Sequence, residues 1–195
     1  MTRPAVARPS LLRFVLVALA WLPVTFVIWY FAAPLLLWPV RMLVTIIASA
    51  GFGDLVRSIS ADGATLSFLT TLKPGRIDTA GIVSVDVNML LYAFGLPLFA
   101  ALTLAAGGRR VRAMAIGYVA LVPFMTWGVL ADFLKNIAIT STPLIASQAG
   151  FGALQREMIA FAYQFGSLIL PAVAPAIAWV LTHRHFLEQL RASVR

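Results

Sequence analysis

Ala106-Gly107-Gly108-Arg109-Arg110-Val111-Arg112-Ala113 is the stretch on which the fold of this 195-residue chain turns. It separates two long apolar runs, and its three arginines can be assigned to a side once those runs are read as membrane helices. Lys and Arg next to the ends of spans resist translocation, so this loop belongs to the cytoplasmic side.

Working outward, four apolar stretches are long enough to cross a bilayer as helices of about 20 residues. They lie at approximately residues 12–32, 88–106, 113–134 and 158–181. With the N-terminus inside, the cytoplasmic segments carry Arg3, Arg8, Arg13, Arg109, Arg110, Arg112, Arg184, Arg191 and Arg195 against Glu188, which accounts for the whole net charge of +8. The external segments carry Arg41, Arg57, Lys73, Arg76, Lys135 and Arg156 against Asp54, Asp62, Asp78, Asp86, Asp132 and Glu157, and they balance. Both termini are therefore expected in the cytoplasm of a multi-pass protein of a bacterial inner membrane.

Composition agrees: 61% of residues are hydrophobic and 11% charged, with mean hydropathy +0.93, too little polar material for a soluble surface. The basic excess sits beside spans rather than on a folded basic face, which argues against nucleic acid. It makes anionic lipid the expected cytoplasmic partner of Arg109, Arg110, Arg112 and Arg184. The first span is read as an uncleaved signal anchor, because Trp29, Tyr30 and Pro34 crowd the position where cleavage would fall.

Residues 33–87 form the expected external insertion. A helix opening at Pro34 or Pro39 and ending at Gly51 as a left-handed C-cap is predicted. Its polar stripe of Arg41, Thr45 and Ser49 suits a helix in the outer interface, with Trp38 at headgroup level, although its hydrophobicity also suits packing on the bundle. Reading this segment as a fifth span would put Arg109, Arg110 and Arg112 outside, and it is rejected on charge.

Asp62-Gly63 reads as a tight turn pairing Ala61 with Ala64, Ile59 with Leu66 and Arg57 with Phe68. Pro74-Gly75 offers a second turn, after which Val83, Val85 and Val87 alternate with Ile82, Ser84 and Asp86. The fold class expected is an all-α membrane bundle of four transmembrane helices with a small extracytoplasmic antiparallel β-meander and an interfacial amphipathic helix. Residues 1–195 form one domain.

Chemistry is sparser. The chain has no cysteine, which excludes disulfides, thiolate metal sites and cysteine nucleophiles. No zinc-protease, nucleophile-elbow or phosphate-loop motif occurs, and no cofactor or metal is expected. His183 and His185 point to different helix faces and read as polar caps at a helix end. Asp132 and Lys135, three apart on one helix, stand at the outer end of a span with Asn88 and Tyr92 of one neighbour and Tyr163 and Gln164 of another. If these helices pack together, the six residues converge in an outer polar mouth; otherwise they are interface anchors and interhelical hydrogen bonds. Pro97, Pro123, Pro171 and Pro175, with Gly95, Gly117, Gly128 and Gly166, permit kinks and close helix approach.

Four stretches resemble a known family. They are Trp-Tyr-Phe-Ala-Ala-Pro-Leu-Leu-Leu-Trp-Pro at 29–39, Asn-Met-Leu-Leu-Tyr-Ala-Phe-Gly-Leu-Pro-Leu at 88–98, Trp-Gly-Val-Leu-Ala-Asp-Phe-Leu-Lys at 127–135 and Ala-Tyr-Gln-Phe-Gly-Ser-Leu-Ile-Leu-Pro at 162–171. Together they are similar to the exosortase H-associated membrane proteins. The resemblance implies an accessory protein of an inner-membrane sorting system, with an exosortase or its sorted substrate as partner. Exosortases resemble cysteine transpeptidases, so a chain without cysteine is not expected to be the enzyme. The alternatives are a small transporter or channel subunit, and an intramembrane enzyme using Asp132 and Lys135 on a lipid-linked substrate.

Overall fold

The computed structural model describes residues 10–75, 81–107 and 110–194. Helix α1 (Leu11–Leu36) opens the chain and α2 (Trp38–Gly51) follows after the single residue Leu37. Pro34 lies inside α1, and it is Pro39 that occupies the first turn of α2, where its missing N–H costs nothing. Gly51 ends α2 without a left-handed conformation, contrary to the expected C-cap; Phe52 closes the helix, its N–H donated to Ala48 O at 2.9 Å.

In α2 the residues Val40, Val44 and Ala48, in line with Leu37, form a fully buried stripe at helical spacing. The stripe packs along α5 (Arg110–Lys135), and the Tyr118 hydroxyl of α5 donates to Leu36 O at 2.7 Å. The helix expected in the outer interface is thus held against the bundle. Its outward side mixes Thr45 and Ser49 with exposed Met42, Ile46 and Ile47, while the Arg41 guanidinium donates to Gly63 O and ties the helix to a β-turn.

The three-stranded antiparallel meander is present, in the order β1 (Val56–Asp62), β2 (Thr65–Thr70), β3 (Ser84–Asn88). Its register differs by two residues from the sequence expectation. Asp62 pairs with Thr65, so Gly63 and Ala64 form the loop and Ile59, not Arg57, lies opposite Phe68. Gly63 is the one residue of that loop with positive φ (+54°), the arrangement of a two-residue turn in which glycine is needed only at the first central position. A two-residue shift preserves faces. Leu66, Phe68, Val85 and Val87 accordingly point to the core as expected, and Phe68 stacks on Phe133 of α5 with centroids 4.3 Å apart. The sheet is therefore covered by the end of α5 as well as by α2. The second turn runs into residues outside those described.

The expected second span at 88–106 is broken. Asn88 ends β3 and accepts the Leu90 N–H on its Oδ1 at 3.0 Å, after which α3 (Leu90–Ala93) and α4 (Gly95–Ala106) are separated at Phe94. At about 1.5 Å per residue the whole stretch is roughly 26 Å long, short of the ~30 Å hydrocarbon core. Among the described residues, three helical runs are long and apolar enough to cross a membrane, Leu11–Leu36, Arg110–Thr140 and Ala153–Thr182. Two of them contain π-helical segments, Asn136–Thr140 directly after α5 and Phe165–Ile169 between α7 (Ala153–Gln164) and α8 (Leu170–Thr182). The short α6 (Pro143–Gln148) lies between them.

Beyond the last expected span the structure adds α9 (Arg184–Val194). Phe186 folds back so that Phe14, Trp179 and Phe186 form an aromatic cluster joining the start of α1 to the end of α8. The bundle therefore has two distinct ends: one with this cluster and the start of α5, the other with the sheet, α6 and the end of α5.

Candidate functional site

A polar cluster forms around Asp132, and it gathers some but not all of the six residues proposed on sequence. Asp132 is 8% exposed, although carboxylates are rarely buried unless paired. Two groups of its own helix serve it. Lys135 Nζ lies 3.1 Å from Oδ1, and Asn136 Nδ2 donates to Oδ1 at 3.1 Å and to the Asp132 carbonyl at 3.0 Å. Asn136 opens the π-helical segment, and such segments recur at functional sites because they re-aim side chains within a helix.

Two tyrosines complete the cluster. Tyr92 of α3 is buried, with the Asp132 carboxylate and Tyr163 within electrostatic range of its phenol. Lys135 Nζ sits 4.4 Å from the centroid of the Tyr163 ring, a cation–π contact reaching across to α7. α5 thus brings a carboxylate and an ammonium, the π-helical segment an amide, α3 a phenol and α7 a π face.

Small residues allow this approach. A Cβ on Gly128 would fall 2.3 Å from Tyr92 Cδ1, and one on Gly166 would fall 3.1 Å from the Gly128 Cα, so the Tyr92 side chain packs directly on α5 and the second π-helical segment meets α5 nearly backbone to backbone. On the bundle's flank Trp127 Nε1 donates to Ala162 O at 3.1 Å and links α5 to α7. The three predicted helices are mutual neighbours.

Asn88 and Gln164 are not part of the cluster. Asn88 is exposed on the polar face of β3 and caps α3 instead, and Gln164 is exposed on the outside of α7. Asn136 was missed, though its spacing of four from Asp132 would have indicated it. At the opposite end Arg110, Arg112 and Arg184 are exposed and, among the described residues, have no acidic partner within 4.0 Å; Arg109 lies outside the described residues. His185 is exposed beside Glu188 at 3.5 Å. His183 is buried, its ring stacked on Trp179 and its Nδ1 2.9 Å from Thr182 Oγ1, and burial holds its pKa below the ordinary imidazole value against the opposing hydrogen bond to Trp179 O. It is therefore part of the packing at a helix end rather than a solvated cap.

Long apolar helices, a partly buried ion pair where they meet and a small sheet laid over one end define a small polytopic membrane protein. The exosortase H-associated membrane protein model matches residues 8–186, nearly the whole chain. The chain belongs to that family. No curated protein and no solved structure matches it.

Proposed function

We propose that this protein is a non-catalytic accessory subunit of an exosortase-type sorting system in the bacterial inner membrane, engaging the exosortase or its sorted substrate through the sheet and the cluster around Asp132. The family match over residues 8–186 carries the reading, since it covers every element that builds the cluster. The arrangement of the cluster supports a contact role. Asp132 Oδ1 is already engaged by both Lys135 and Asn136, which suits a structural contact better than proton transfer. Both termini and the arginine-rich end face the cytoplasm, where they meet anionic lipid, and the sheet faces outward.

The test is in-cell crosslinking of the full chain followed by purification in mild detergent and identification of copurifying chains. A sorting transpeptidase or an exported protein is expected, in reduced yield with Asp132→Asn and in full yield with the exposed control Asp86→Asn. Recovery of only an ATPase or a solute-binding protein would refute the proposal in favour of a transporter subunit.

A further inference from the structure

A second feature at the sheet end belongs to neither the Asp132 cluster nor the arginines of the opposite end. A cleft of about 420 Å³ opens between Arg57, Thr70, Thr71, Lys73 and Ile82, within the size range of small-ligand sites. Two cations border it, and among the described residues neither has an acidic partner within 4.0 Å.

Both cations are placed by backbone devices. Pairing jumps from Val56↔Thr70 to Ser58↔Leu69, so Arg57 is the extra residue of a β-bulge, a device that re-aims a side chain at the rim of a sheet. Lys73 is clamped from α6: its N–H donates to Gln148 Oε1 at 3.0 Å and its carbonyl accepts from Gln148 Nε2 at 3.0 Å, which fixes the backbone while the ammonium stays exposed. The threonine hydroxyl protons are already committed, Thr70 to Val83 O at 2.8 Å and Thr71 to Asp54 O at 2.6 Å. Among the described residues, Arg57 and Lys73 are left as the cleft's charged side-chain donors.

Depth indicates the ligand. Gln148 closes α6, just past the far end of the 31-residue helical run Arg110–Thr140. At ~1.5 Å per residue that run is about 46 Å long, close to the full bilayer thickness with its headgroups, so a run standing along the membrane normal would carry the cleft at headgroup level. A guanidinium fork beside a mobile ammonium matches a phosphate, which offers several acceptor oxygens and up to two charges.

We infer that the Arg57–Lys73 cleft binds a phosphate group, presented either by a lipid headgroup or by a soluble phosphate. The experiment uses the full chain in maltoside micelles, which contain no phosphate, at low ionic strength so that screening does not mask the contact. Inorganic phosphate is titrated and followed by ³¹P line broadening. Saturable broadening is expected, weakened about tenfold in Arg57→Gln and in Lys73→Gln, as loss of one charge-assisted hydrogen bond implies, and unchanged in Arg112→Gln. Arg57→Lys, which keeps the charge and the fold but not the fork, should fall between. Competition by dihexanoyl phosphatidylglycerol more than tenfold stronger than that by glycerol phosphate assigns the site to a headgroup, and equal competition assigns it to soluble phosphate. The inference is overturned if wild type shows no saturable broadening, if the double Gln variant retains it, or if succinate binds more tightly than phosphate. None of these outcomes depends on an exosortase partner.

Discussion

Gly128→Ala is the sharpest probe of how the cluster is held. The added Cβ would lie 2.3, 2.7 and 3.1 Å from Tyr92 Cδ1, Cγ and Cβ, the root of the ring rather than its free end, so rotation of the ring cannot relieve the clash. Tyr92 or its helix must move by about 1 Å, and overpacking of this kind costs roughly 1–3 kcal/mol. Alanine regains up to about 1 kcal/mol of helix stability over glycine, leaving a net loss of about 0–3 kcal/mol. Gly51→Ala is the matched control, since its Cβ meets nothing within 4 Å and its φ is not positive; it should be neutral or stabilising by up to ~1 kcal/mol. The assay is urea unfolding in mixed micelles, with a double-mutant cycle to Tyr92→Ala, which removes the ring. A coupling of at least ~0.5 kcal/mol between the two sites is expected. If Gly128→Ala matches Gly51→Ala in stability and shows no coupling, Tyr92 does not sit on Gly128 and the cluster geometry argued above is wrong.

Lys135→Met should cost about 2–4 kcal/mol because it strands the 8%-exposed Asp132 carboxylate, whereas adding Asp132→Leu should recover most of the loss; equal stability of the single and double variants would contradict the buried pair. Phe68→Ala removes a fully buried ring stacked on Phe133 and should lose about 3–5 kcal/mol by the same unfolding assay, against under 0.5 kcal/mol for the exposed Ser58→Ala. His183 should make stability depend on pH: the fold lowers its pKa, so the unfolded chain takes up the proton first, and the contribution present above the unfolded imidazole value is lost as pH falls through it toward the folded one. Thermal melts between pH 8 and pH 5 should therefore show a decline that His183→Gln flattens, and an unchanged slope in that variant would assign the decline elsewhere. Reporter fusions after Gly75 and Gln148 should be external and those after Gly108 and Arg195 cytoplasmic; a cytoplasmic Gly75 would mean that α2 crosses the membrane on its own.

Composition and order alone determined the class of this protein, because hydrocarbon solvent admits only helices or closed barrels and because arginines beside spans resist translocation. The three strands and the inward faces of Leu66, Phe68, Val85 and Val87 were legible for a similar reason: period-two alternation is a local property, and it survives a two-residue register error. The register itself was not legible, since Asp62-Gly63 and Gly63-Ala64 are both acceptable loops until Arg41 binds Gly63 O and Phe68 meets Phe133. Helical spacing placed Asp132 beside Lys135, but no local rule could say that Asn88 would remain in a strand or that Gln164 would face outward. Those outcomes depend on where α3 breaks and how α7 is rotated, and both are set by contacts between residues distant in sequence, such as Gly95 against the Pro171 carbonyl and Gly166 against Gly128. Local spacing supplied the partners that make burying Asp132 tolerable, Lys135 and Asn136, and tertiary packing decided that Tyr163 would lie under the Lys135 ammonium.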